Sequence, residues 1–128
     1  MPGLDITPHV VAGRQLIQSY GNMRFRIAGN AHRGSVIVLP ERTLPWAVRE
    51  AAAITVESLA PLAEAEAVAG ILVIGCGPRF QPIPKGLREG LKEAGLVLEW
   101  MDTGAACRTF NVLLAEERAC AAALIAVE

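Results

Sequence analysis

Apolar residues in this chain fall into short runs separated by glycine, proline and asparagine, a pattern typical of alternating strands and helices. Two runs rich in leucine and β-branched residues, Ser35–Leu39 and Ile71–Ile74, predict buried strands because proline or glycine follows each at once. Leu96–Met101 predicts another strand. The final run, Arg118–Val127, fits a helix through its alanines and a buried strand through its Leu-Ile-Ala-Val segment. Periodicity leaves both open.

Spacing and capping signals between these strands predict three helices: Thr55–Ala67, Pro84–Ala94 and Thr103–Ala115. In the first, Leu59, Leu62 and Ala63 share one face. Gly95 is expected to end the second in the left-handed conformation, and Thr103 to cap the third. Because the second helix joins two predicted strands, this segment predicts a right-handed βαβ unit with a parallel strand pair.

An N-terminal hairpin is predicted from Arg14–Tyr20 and Met23–Ile27, which flank Gly21 and Asn22. Both residues tolerate positive φ, so the pair is a good signal for a two-residue turn. Arginines alternate with apolar residues in the second segment. That strand therefore has one apolar and one solvated face.

Composition indicates one globular domain spanning residues 1–128. Of the 128 residues, 52% are hydrophobic and 20% are charged, which excludes a disordered chain. The formal net charge of −1 gives no broad attraction for nucleic acid or an anionic membrane. No apolar run is long enough to cross a bilayer and no secretory signal is visible. We therefore expect a cytoplasmic protein without direct membrane insertion.

The cysteines and histidines predict neither a metal site nor a disulfide framework. Cys76, Cys107 and Cys120 are odd in number and form no C-x-x-C motif, while His9 and His32 are isolated. We therefore expect reduced thiols, no metal ligands and no cofactor.

The first part of a candidate crevice follows the Ile71–Ile74 strand, at Gly75, Cys76 and Gly77. Ligands of open α/β sheets bind beyond the carboxyl ends of strands, where glycine lets the backbone approach them. Amides at the following helix would attract an anion, and Arg79 would add positive charge. A tight turn is the favoured explanation of the same residues, because three nearby prolines remove amide donors.

Asp102, Thr103 and Asn111 complete the candidate crevice, because the first two follow the neighbouring predicted strand. In the alternative interpretation Thr103 caps the next helix, and Asp102 is favoured by the positive end of that helix. Asn111 is expected to bond a neighbouring loop or a ligand. Cys76 is either an inert thiol or a thiol activated at a helix start. No paired carboxylate, nucleophile elbow or complete dinucleotide fingerprint is visible, so we assign no catalytic residue and leave enzymatic activity open.

A joint pattern of motifs extends this picture: Gly75 and Gly77 after one strand, Asp102-Thr103 after the next, then Thr109-Phe110-Asn111 and Glu116…Arg118. Together with the hairpin and the segment GN…SVIVLP, it resembles a small domain family of bacteria, archaea and mitochondria. Members include the mitochondrial respiratory complex I assembly factor three and an adipogenesis-associated protein. Cys76 and Glu117 depart from the usual family residues. The resemblance implies a three-layer α/β fold: a mixed central sheet with helices on both sides, an added hairpin, and Arg118–Val127 as an antiparallel last strand.

Two function classes follow. The resemblance implies a non-catalytic interaction or assembly protein with protein partners, in the biogenesis of a respiratory or membrane-protein complex. The alternative is a binder of a small anion or metabolite, or an enzyme, that uses the crevice after the first βαβ strand. An exposed apolar patch containing Trp46 or Phe80 favours the first class. A deep pocket with convergent polar groups favours the second.

Overall fold

The computed structural model describes residues 13–64 and 70–128, which form two β-sheets and three α-helices. A three-stranded antiparallel sheet contains β1 (Ile17–Gly21), β2 (Arg24–Ile27) and β3 (Asn30–Arg33). A five-stranded sheet contains β4 (Val36–Val38), β5 (Thr43–Pro45), β6 (Ile71–Gly75), β7 (Val97–Met101) and β8 (Cys120–Leu124). The helices are α1 (Ala60–Glu64), α2 (Leu87–Glu93) and α3 (Thr103–Ala115).

The five-stranded sheet is mixed, with the order β5-β4-β8-β6-β7. β6 is parallel to β7 and to β8, whereas β4 is antiparallel to β8 and to β5. The last apolar run is therefore a strand, as the resemblance implies, and its antiparallel neighbour is β4. The predicted parallel pair on either side of α2 is confirmed. This order brings the carboxyl ends of β6, β7 and β8 to one edge of the sheet.

Two hydrophobic cores lie on opposite faces of the five-stranded sheet and confirm three layers. On one face, α3 and the three-stranded sheet bury Phe25 and Phe110. On the other face, α1 and α2 bury Leu62 and Leu91. β8 runs between the two layers and is buried along its whole length. Its three consecutive alanines let both layers pack close to the sheet.

The N-terminal turn lies one residue further along the chain than predicted. β1 and β2 are joined by Asn22 and Met23, whose φ angles of 53° and 59° are both left-handed. Such a turn matches the twist of a hairpin, but methionine rarely adopts this conformation. Met23 is held there because its N–H donates to the Val127 carbonyl and its own carbonyl accepts from Gly34 N, each at 2.8 Å.

The predicted hairpin is extended by a third strand, β3, which the sequence pattern did not indicate. Ala28 and Gly29 turn the chain with φ angles of 49° and 83°, and Ile27 pairs with Asn30. The residues of β3 read Asn-Ala-His-Arg, without the apolar alternation by which a half-buried strand is recognised. This strand therefore forms through its pairing with β2, because it has no hydrophobic face of its own.

The first predicted helix begins where expected but as a tighter turn. The Thr55 hydroxyl accepts a hydrogen bond from Ser58 N at 3.0 Å. Residues 57–59 then form a 3-10 turn that leads into α1. The predicted remainder of this helix, from residue 65 to residue 67, lies outside the described residues.

The second predicted helix starts later than expected. α2 begins after Gly86, whose φ is +81°, because this left-handed residue redirects the chain after Pro84. Gly95 has a φ of +86° and ends the helical region as predicted. Within the described part of the chain, no helix combines the length and the apolar character needed to cross a membrane.

Candidate functional site

The structure brings together five of the seven candidate crevice residues: Gly75, Cys76, Gly77, Asp102 and Thr103. Gly75 ends β6 and pairs with the last residue of β7, so the two following segments leave the sheet side by side. Thr103 N donates to the Gly77 carbonyl at 2.9 Å. Gly77 N donates in return to Thr103 Oγ1 at 3.1 Å. These reciprocal bonds fasten the two segments to each other.

The two glycines of this edge serve different needs. A Cβ added at Gly75 would lie 2.8 Å from Thr103 Cα and 3.0 Å from Thr103 Oγ1. Thr103 Cα belongs to the backbone, so α3 itself would have to move. Gly77 has open space around it, but its φ of +117° is one that residues with a side chain rarely adopt. Gly75 thus permits close helix packing, and Gly77 permits the turn.

The Thr103 side chain is fully buried, and its hydroxyl bonds the protein's own backbone. Besides accepting from Gly77 N, it donates to the Ile125 carbonyl at 2.8 Å. Ile125 N in turn donates to the Gly75 carbonyl at 3.0 Å. This ring of hydrogen bonds ties together the end of β6, the start of α3 and the segment after β8.

Asp102, rather than Thr103, caps α3. Asp102 has an extended backbone, with φ −63° and ψ 161°, and its Oδ1 accepts from Ala105 N at 2.9 Å. The prediction that Thr103 is the cap was wrong because Thr103 is already the first helical residue and its hydroxyl faces the sheet. A carboxylate at this position is also favoured by the positive end of the helix dipole.

Cys76 is a buried thiol that organises the loop after β6. Its Sγ accepts from Gln81 N at 3.3 Å and lies 3.4 Å from the Arg79 carbonyl. On the other side, Trp100 Nε1 donates to the Gln81 carbonyl at 2.7 Å. Burial is the main cause that raises the pKa of the Cys76 thiol above its usual value. The neutral thiol is therefore the favoured form, and it is a poor nucleophile.

This loop carries Arg79 and Phe80, which follow the crevice residues Gly75–Gly77 in the chain. Both are exposed, and Phe80 keeps 66% of its surface in contact with solvent. Trp46, the other aromatic residue considered for an exposed patch, is buried, with only 6% of its surface accessible. Of the two aromatic residues, only Phe80 therefore offers a surface to a partner.

Asn111 does not join the crevice. Its side-chain amide bonds Ile17 at the start of β1, with Nδ2 donating to the Ile17 carbonyl and Oδ1 accepting from Ile17 N, each at 2.8 Å. The expected bond to a neighbouring segment is present, and the segment is a strand rather than a loop.

Trp100, Gln81 and Ile125 shape this edge but were not among the sequence candidates. Gln81 and Ile125 act through backbone carbonyls, which any residue carries, so no sequence signal marks them. Trp100 offered a weak signal, because a buried indole N–H near a strand end needs a hydrogen-bond acceptor.

Several proteins of known sequence or structure are similar to this chain. The protein named NADH dehydrogenase [ubiquinone] 1 alpha subcomplex assembly factor 3 from Danio rerio is 41% identical over 110 residues, which cover 86% of this chain and 63% of that protein. An uncharacterized protein from Rhodobacter capsulatus is 37% identical over 114 residues, which cover 89% of this chain and 86% of that protein. A crystal structure described as an outer membrane protein from Bartonella henselae matches with a TM-score of 0.80 and 41% identity, covering 94% of this chain and 100% of the other.

This chain thus spans less than two thirds of the Danio rerio assembly factor. A family model described as a protein of unknown function, DUF498/DUF598, matches residues 17–125, from the first residue of β1 to the residue after β8. The match includes both sheets, the three described helices and the crevice. The chain belongs to the DUF498/DUF598 family of proteins of unknown function.

Proposed function

We propose that this chain is a non-catalytic interaction module that assists the assembly of a respiratory membrane-protein complex by contacting a protein partner. Its 41% identity with the Danio rerio assembly factor supports this function. The chemistry of the crevice supports it as well. The Thr103 hydroxyl and one Asp102 carboxylate oxygen are engaged by the backbone, and Cys76 is held as a neutral thiol.

The exposure of Phe80 on a fixed loop is the observation that carries the proposal. A single exposed phenylalanine is common, but the loop that presents this one is fixed on both sides of Gln81 by Cys76 and Trp100. An ordered loop loses little backbone conformational entropy when it binds, so more of the contact energy of its side chains contributes to affinity. Arg79 precedes it, and arginine is among the residues that most often dominate interface energies.

The main alternative is a small anion or metabolite held in the crevice by Gly75–Gly77, Arg79 and Asp102–Thr103. It predicts that a ligand raises the melting temperature of the protein by binding the folded state alone. Inorganic phosphate is the simplest probe, and Arg79→Gln, which removes a positive charge from the candidate crevice, is the matching variant. The assembly function predicts no shift with phosphate in either protein. We also propose a cytoplasmic location.

The test of the assembly function is complementation of cells that lack the gene. The native chain, Phe80→Ala or Val112→Ala is expressed at equal levels, and assembled respiratory complex I is measured by native electrophoresis. Val112 is a matched control because 52% of its surface is exposed and it lies on α3, not on the Phe80 loop. We expect Phe80→Ala to lower the assembled complex several-fold and Val112→Ala to restore it fully.

Two outcomes would contradict this proposal. Full restoration by Phe80→Ala would exclude Phe80 as the contact residue. Normal complex I in cells that lack the gene would exclude the assembly function itself. Equal melting temperatures of the two variants would verify that a defect reflects a lost contact rather than a lost fold.

A further inference from the structure

A cavity of about 560 Å³ opens beyond β4 and β8, at the edge of the five-stranded sheet that also carries the candidate crevice. The start of β4 pairs with the ends of β5 and β8, so residues next to these three ends surround the opening. Its lining includes Met23, Arg33, Ser35, Trp46, Arg49 and Ala126. The volume falls within the range of small-molecule sites, and the carboxyl edge of an α/β sheet is where such sites usually lie.

One part of this cavity wall is apolar. Trp46 is fixed there because its Nε1 donates to the Ser58 carbonyl at 2.8 Å. Met23 lies at the turn between β1 and β2, in the left-handed conformation described above. A non-glycine residue kept in that conformation is strained and persists only where its surroundings impose it, which is frequent at binding sites. Its flexible thioether adapts to apolar groups of different shapes.

The other part of the wall is cationic. In residues 13–64 and 70–128, neither Arg33 nor Arg49 has a carboxylate oxygen within 4.0 Å. Arg33 also stands directly opposite Arg24 in the β2–β3 ladder, and both are exposed. Like charges facing each other across a ladder repel, so a bound anion would relieve this repulsion.

Ser35 adds a buried donor to the same wall. Only 6% of its surface is exposed, and its Oγ accepts from Ala126 N at 3.0 Å. No hydrogen bond donated by this hydroxyl is found among the described residues. A serine hydroxyl can donate one hydrogen bond while it accepts another, so its proton is available to an oxygen atom of a ligand.

From these features we infer that the cavity binds a small anionic amphiphile, a molecule with a carboxylate or phosphate head and a short apolar body. The head contacts Arg33, Arg49 and Ser35, and the body lies against Trp46 and Met23. Guanidinium groups bind such oxyanions with two parallel hydrogen bonds. A bare anion would leave the apolar wall uncovered, and an uncharged apolar molecule would make no ion pair with the two arginines. This site uses none of the residues on which the assembly function rests, so each is tested separately.

Octyl phosphate is the probe, used below its micelle-forming concentration. Inorganic phosphate controls for the head alone and octanol for the tail alone. Binding is followed by NMR of the two tryptophan indole N–H groups. Trp46 lines the cavity, whereas Trp100 bonds Gln81 and serves as an internal reference. We expect a saturable shift of the Trp46 signal, an unchanged Trp100 signal, and at least about tenfold weaker binding of either control.

Arginine variants assign the binding to this cavity. We expect Arg33→Gln and Arg49→Gln each to weaken octyl phosphate binding at least about tenfold. Arg26→Gln is the matched control, because Arg26 is an exposed arginine of β2 whose Nη1 donates to the Gly29 carbonyl. Three results with these probes overturn the inference: no saturable shift of the Trp46 signal, equal affinity of all three variants for octyl phosphate, or equal affinity of the protein for octanol and octyl phosphate. A fourth is a Trp46 shift that only a glutamate-containing peptide produces. The last result would assign the cavity to a protein partner.

Discussion

Asn111 and Ile17 lie 94 positions apart in the chain, yet the side-chain amide of Asn111 bonds both backbone groups of Ile17. β1 is an edge strand of the three-stranded sheet: it pairs with β2 on one side, and among the described residues no strand pairs with its other side. The amide of asparagine carries a donor and an acceptor side by side, as a backbone partner would. Asn111 therefore fastens the edge of this sheet to α3.

Replacing Asn111 by alanine is expected to loosen β1 from α3. The change leaves the N–H and C=O of Ile17 without partners in a partly buried place, which costs about 1–3 kcal/mol of unfolding free energy. Urea denaturation measures this loss, and hydrogen exchange of the Ile17 amide should accelerate. Val112→Ala, one residue away on an exposed position, should change stability by less than about 0.5 kcal/mol. Equal effects of the two variants would show that the amide bridge contributes little.

Gly75→Ala should destabilise the protein although it adds only one methyl group. The new Cβ would lie 2.8 Å from Thr103 Cα, and a backbone atom at the start of a helix cannot move without its helix. Overpacking of this kind typically costs about 1–3 kcal/mol. Gly70→Ala is a suitable comparison, because a Cβ added at Gly70 would meet no atom of the described residues within 4 Å and its φ is not left-handed. If thermal denaturation shows no difference between the two variants, α3 is not packed on β6 as closely as described.

Part of the central sheet is predictable because two of its strands are short apolar runs that end at glycine or proline. Ser35–Leu39 and Ile71–Ile74 were identified in this way, and the helix between Ile71–Ile74 and Leu96–Met101 indicated that these two strands are parallel. β3 was not predictable, since its four residues carry no hydrophobic signal and only pairing with β2 makes them a strand. The last strand needed the family resemblance, because helix propensity and burial favour opposite structures for a run of alanines.

The position of the candidate site in the fold could be predicted from the sequence, but the hydrogen-bond partners of its side chains could not. Glycine and polar residues after two parallel strands must meet at one edge, so Gly77 and Thr103 were correctly expected to be close. The partner of the Thr103 hydroxyl is the Ile125 carbonyl, a backbone group that only the folded sheet brings near. The same limit applies to Arg33 and Arg49, which come from different segments and share a cavity only after folding.

The raised pKa of the buried Cys107 thiol predicts that the folded protein loses stability at alkaline pH. Burial is the main cause that raises its pKa from 9.0 to about 12 in the folded protein. Between these two values the unfolded chain releases a proton that the folded chain retains, so the contribution of Cys107 is complete below pH 9.0 and declines as the pH rises toward about 12. The slope from this one group reaches about 1.4 kcal/mol per pH unit.

Cys107→Ala should be less stable at neutral pH because it opens a small cavity, but its stability should fall less steeply over the same interval. Urea denaturation of both proteins at several pH values measures the two slopes, and the other groups that titrate there affect both proteins alike. Parallel slopes would mean that Cys107 reaches solvent and ionises in the folded protein.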